Sequence, residues 1–157
     1  MKRVLCIIIA LLLSVSSIRA QNTEGQDFWL TFGGTPNHYT YNLEFQIRIV
    51  NGAQPTSVKI DFTHLGTWVD YSMSAYEIFT YTLKPDEKEA VHNTTMGTTD
   101  YSIHITASHP VTVYTLKIHL TVPNRNLDAS NVLPVPALGT EYYQISYAPS
   151  DNSNQGS

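Results

Sequence analysis

The sequence predicts an all-β fold, an antiparallel β-sandwich of about eight to ten short strands preceded by a signal peptide. Three observations predict it. Apolar residues recur at every second position in segment after segment. Clusters of Gly, Pro, Asn and Asp punctuate the chain between those segments. Charged residues make up only 14% and aromatics 11%, and ten of the aromatics are Tyr, a composition that suits strands. The 42% of hydrophobic residues is enough to build a core, and 157 residues fit one domain or part of one.

Residues 1–20 read as a removable leader. Lys2 and Arg3 precede an apolar run, Val4–Leu13, that is too short to span a bilayer. Small residues Ser14–Ser17 and the site Ile18-Arg19-Ala20 then allow cleavage before Gln21. Cys6 lies inside the apolar run, too early for a lipoprotein cysteine. It is the only cysteine, so the mature chain has no disulfide. Losing Lys2, Arg3 and Arg19 from the 9 basic residues, against 13 acidic ones, leaves a formal net charge of about −7. Such a surface excludes nucleic acid and anionic lipid as partners, since both need clustered Lys and Arg. No membrane insertion is expected after cleavage. The chain is expected to be secreted or at the cell surface, in a bacterial envelope.

Residues 21–148 form the expected domain. Phe28, Leu30 and Phe32 alternate with Asp27, Trp29 and Thr31, a strand with Trp29 on its second face. Leu43–Val50 alternates most regularly, with Leu43, Phe45, Ile47 and Ile49 on one face. Asn51-Gly52 signals a turn before Ser57–Phe62, where Val58, Ile60 and Phe62 share a face. Gly66 breaks the chain before Thr67–Tyr71, and Tyr76–Leu83 is rich in β-branched and aromatic residues. Pro85-Asp86-Glu87 reads as a turn, and Ala90-Val91-His92 as a short strand or edge. Tyr101–Ala107 alternates, Ser108-His109-Pro110 is a tight link, and Val111–Leu120 runs without breakers. That last run is either buried on both faces or bulged near Val113. Val122–Asp128 reads as a polar loop. Leu133, Val135 and Leu138 are expected to cover sheet surface before a Tyr-rich strand at Tyr142–Tyr147. Residues 149–157 read as a polar, disordered tail, or as the point where a longer domain is cut.

Three stretches together resemble the IgGFc-binding protein N-terminal domain family. They are Gly25–Phe32 (GQDFWLTF), Pro110–Leu120 (PVTVYTLKIHL) and Asn131–Tyr147 (NVLPVPALGTEYYQISY). The matching positions are Gly25, Asp27, Phe28 and Trp29, then Val111 through Tyr114. Leu133, Pro134, Ala137, Leu138, Gly139, Glu141, Tyr142 and Tyr143 complete them. The resemblance implies a β-rich module of secreted and cell-surface proteins. That family's domain continues past the equivalent of Tyr147, which implies a truncated domain here. Fc binding is not carried over, because no contact residue can be placed on these positions.

Trp29, Tyr39, Tyr41, Tyr142 and Tyr143 are the candidate ligand contacts. Trp29 could stack on a sugar or a protein, or it could pack under a neighbouring sheet as a structural residue. The tyrosines offer large contact area with a polar tip, although Tyr is also a good residue for a half-buried strand face. The six histidines form no close ligand pair and have no Cys partners, although His104 and His119 could be neighbours on adjacent strands. Asp151–Asn154 lacks the Gly and Glu of a calcium loop. Asn93-Thr94-Thr95 is a formal glycosylation sequon. Nucleophile elbows and phosphate loops are missing, and Asp86, Glu87 and Glu89 sit in one expected turn instead of flanking a cleft. No catalytic residue, cofactor or metal is assigned. The expectation is a non-enzymatic adhesion or interaction module binding an extracellular protein or glycan. A spacer or half-domain of a larger surface protein is the alternative, and a carbohydrate-active enzyme the second.

Overall fold

A computed structural model describes residues 23–33, 43–91, 98–120 and 127–140. The leader, the loop tyrosines Tyr39 and Tyr41, the sequon at Asn93, Tyr142–Tyr147 and the tail lie outside them. So do Asp151–Asn154 and His92.

The described residues form one antiparallel seven-stranded sheet. Its strands are β1 (Glu24–Leu30), β2 (Leu43–Asn51), β3 (Thr56–Phe62), β4 (Thr67–Met73), β5 (Ile78–Thr82), β6 (Ile103–His119) and β7 (Leu127–Val132). The expected all-β class is therefore present, with seven strands among the described residues. Among the described residues no helix is long and apolar enough to cross a membrane.

β6 is the spine. Its first half pairs with β3 through Val58↔Ala107 to Phe62↔Ile103, and its second half pairs with β2 through Asn51↔Val111 to Leu43↔His119. On its other edge β1 pairs with the first half and β7 with the second. β2 and β3 thus run end to end along one side of β6. β4 and β5 run end to end beyond them.

The interruptions between these end-to-end strands fall at one level, and there the sheet folds over. Phe62 pairs with Ile103, whereas Tyr81 pairs with Ile47, which pairs with Thr115. On a flat sheet such positions would stand roughly 40 Å apart along the strands. Their ring centroids are 6.1 Å apart. Phe32, just beyond β1, stacks on Phe45 at 4.5 Å, although Phe45 pairs near the far end of β6. The two layers of the expected sandwich are therefore two halves of one curled sheet, joined by bends. Phe28, Phe45, Phe62, Ile47, Ile60 and Ile105 fill the space between them and are fully buried.

Asn51 holds the bend between β2 and β3. Its amide nitrogen donates to Gln54 O at 2.8 Å and to Ser74 O at 2.7 Å. Its side-chain oxygen accepts from Gly52 N at 2.9 Å and Thr56 Oγ1 at 2.8 Å. Ser74 lies between β4 and β5, so one buried amide ties both bends together. On β6 the bend takes in Ser108-His109-Pro110. These residues are not a link between two strands, as the sequence suggested, but part of one. Pro110 is tolerated because residues 108–110 have no paired partner in the registers with β1, β2 or β3. The bulge expected near Val113 lies instead in β1, between Gly25 and Asp27, and the β2–β6 register is unbroken. Val111 and Val113 are buried, but on the other face only Leu116 is, whereas Tyr114 and Leu120 are exposed, so the run is not buried on both faces.

Two further segments differ from expectation. Pro85–Ala90 is a short helix, α1, and not a turn followed by a strand. Pro85 suits the first helical position, and Glu87 turns back to accept from Lys84 N at 2.8 Å. Glu87 is 4% exposed, not part of an exposed acidic turn, and it accepts the Tyr81 hydroxyl at 2.7 Å. β7, in turn, covers part of the expected polar loop, because pairing with β6 imposes a strand on a sequence without apolar alternation.

Burial, followed by the bond to Glu87 and the nearby carboxylates, pushes the Tyr81 phenol well above its ordinary value. A folded-state value raised above the unfolded one stabilises fully below about pH 10, and this is lost as pH rises through the folded value. In an alkaline absorbance titration, Tyr81 should ionise later than exposed tyrosines. Glu87→Gln should bring it back toward the ordinary range. Unchanged titration in the variant would disprove the coupling.

Candidate functional site

Alternation on β1 turns Phe28 and Leu30 inward and Trp29 outward. Trp29 does not pack under a neighbouring sheet: it is 49% exposed. Its cross-strand partner is His104 on β6, and the two rings stack at 4.1 Å with an 11° interplanar angle. His104 Nε2 donates to Asp27 Oδ1 at 2.8 Å. The imidazole is thus held between indole and carboxylate, and it braces one face of Trp29.

Trp29 also borders a cavity of 470 Å³, within the range of about 300–1,000 Å³ usual for small-ligand sites. It forms where the end of β1 meets β7 and the second half of β6. One wall is apolar, made by Trp29 with Leu30, Leu133 and Leu138. The facing side is polar. Lys117 stands opposite Asp128, and Thr115 opposite Ser130, as cross-strand partners of β6 and β7. Lys117 Nζ donates to Gly33 O at 3.0 Å and so ties β6 to the end of β1. Burial lowers the Lys117 ammonium below its ordinary value, and Asp128 partly opposes this. One cation and one anion side by side leave the polar side without net charge.

Near the start of β1 the Pro134 ring comes close to the Gly25 backbone. A methyl group at Gly25 would overlap Pro134 Cβ and Cγ, so only glycine lets Pro134 seat there. Pro134 is buried, and a 3-10 turn follows at Val135–Ala137. Of the residues expected to cover the sheet, Leu133 is half-buried, whereas Val135 and Leu138 are exposed. Leu138 serves the cavity wall.

Of the candidate contacts, Trp29 lines this cavity, and Tyr39, Tyr41, Tyr142 and Tyr143 lie outside the described residues. Lys117, Asp128, Thr115 and Ser130 were not singled out in the sequence, and no motif marks them. His104 and His119 lie on one strand, not on adjacent strands. Among the described residues no group of three or more metal-ligating side chains occurs.

No family model matches the chain. No curated protein matches it. Among solved structures it is similar to the crystal structure of Thermotoga maritima 1070, at 15% identity and a TM-score of 0.44, over 69% of this chain and 92% of that one. A likeness this distant carries no argument about fold or function.

Proposed function

We propose that this chain is an exported or cell-surface, non-enzymatic interaction module that binds a neutral glycan unit in the cavity beside Trp29. One observation carries the reading: an indole braced on one face by His104 borders a cavity whose polar lining pairs Lys117 with Asp128 and Thr115 with Ser130. The apolar face of a sugar ring suits the indole, and its hydroxyls suit the paired donors and acceptors of Lys117, Asp128, Thr115 and Ser130. A strongly charged ligand would be opposed by one member of the Lys117–Asp128 pair. The leader-like residues 1–20 support export. The resemblance to the IgGFc-binding domain supports an extracellular role.

The test is a neutral-glycan array and calorimetry on the secreted chain. Binding should fall about tenfold or more in Trp29→Ala, equivalent to about 1.4 kcal/mol. An array blank at millimolar glycan would end the proposal and leave the spacer reading.

A further inference from the structure

The outer face of the first layer carries a second exposed tryptophan. Trp29 pairs with His104, His104 with Asp61, and Asp61 with Trp68, so one row crosses β1, β6, β3 and β4. Three strand spacings place the two tryptophan backbones roughly 14 Å apart. Trp68 is 57% exposed. It too is braced: Lys59 Nζ lies 4.9 Å from its ring centroid, and its indole N–H donates to Asp70 Oδ2 at 3.0 Å. Lys59 in turn contacts Asp61 at 2.9 Å. The next row is Asp27, Thr106, Lys59 and Asp70. Beside it lies a shallow, open depression of 490 Å³ edged by Ser57, Ser72 and Ser108. The face is thus a polar lattice bounded at each end by a fixed indole.

We infer that this face is a second contact surface, for the internal units of a neutral polysaccharide whose end unit occupies the cavity beside Trp29. The inference rests on the proposed function and extends it from a single sugar to a chain. Continuity supports it, because Trp29 borders both the cavity and the row. Charge selects the class. Asp27, Asp61 and Asp70 outnumber Lys59 on the face, which disfavours an acidic polysaccharide. The span suits several units of an extended chain, and alternating donors and acceptors between two aromatic ends suit a hydroxyl-bearing ribbon.

The experiment is calorimetry of the secreted chain with cello-, xylo-, manno- and chito-oligosaccharides of increasing length, from the monosaccharide upward. Affinity should climb by about tenfold or more with length for one series. Trp68→Ala should abolish that climb and leave monosaccharide affinity within about twofold. Trp29→Ala should weaken every length. Trp68 is exposed, so its variant should keep the wild-type thermal melt. A wild type without length dependence, or a climb untouched by Trp68→Ala, would overturn the second surface and leave the cavity reading standing. A climb abolished by Trp68→Ala but indifferent to Trp29→Ala would keep the face as a sugar surface and overturn the cavity. Silence toward all four series would overturn both.

Discussion

Phe45→Ala should lower the unfolding free energy by about 3–5 kcal/mol in denaturant titration. Phe45 is fully buried and stacks face to face on Phe32 with an interplanar angle of 2°. The lost transfer energy is only part of the cost. Phe32 belongs to the segment after β1 and Phe45 to β2, so the contact joins the two layers far from the bends. Little else can fill the space, because Phe45 also sits beside the backbone bond from Leu83 N to Phe45 O at 2.9 Å, which fixes the chain there. Domains of this size are stable by about 5–15 kcal/mol, so the variant should lose a large share of its stability. A loss below about 1.5 kcal/mol, the cost of a tolerated apolar swap, would show that the layers are not held together here.

Asn51→Ala should cost about 1–3 kcal/mol, although it deletes no large apolar group. Four partners lose their bonds at once: Gln54 O, Ser74 O, Gly52 N and Thr56 Oγ1. Thr56 is buried with Asn51, and a buried group left unsatisfied costs more than the net worth of its bond, whereas Gly52, Gln54 and Ser74 are exposed and can turn to water. Asn51→Asp separates geometry from chemistry. It keeps an acceptor for Gly52 and Thr56 but turns an oxygen toward two carbonyls. The carboxyl should therefore titrate above its unfolded value near 3.9, so the variant is least destabilised below that pH and weakens as pH rises. Denaturation curves across acid pH check the sign. An Asp variant that gains stability toward neutral pH would contradict the corner as described.

The inward faces of the strands were legible because a period of two is a local signal. Phe28 with Leu30, Leu43 through Ile49, and Val58 through Phe62 all point where the alternation placed them. The bend was not legible. Periodicity reports which face a side chain takes, not where a strand folds over, and Pro110 reads as punctuation until its unpaired position is known. β7 escaped for a related reason, since LDASNV is a strand through its partner and not through its own residues. The short helix carried its signals, Pro85 with acids in the first turn, over too few residues to outweigh a turn. At the site, Trp29 stood out as an aromatic on a polar face. Lys117 and Asp128 are ten or so residues apart and become neighbours only through the β6–β7 register.

The position of β6 in the chain has a consequence for assembly. β1, β2, β3 and β7 all take it as a partner, yet it begins only at Ile103. The hairpin-like pairs β2–β5 and β3–β4 can form from what precedes it. The bends at Asn51 and Ser74 can form earlier, but the strand that runs continuously through both layers and pairs with β1, β2, β3 and β7 is β6. The rate of folding is then governed by long-range closure over most of the chain, the slow regime for sheet proteins. The chain therefore stays without a completed core until its last third is available to supply the spine.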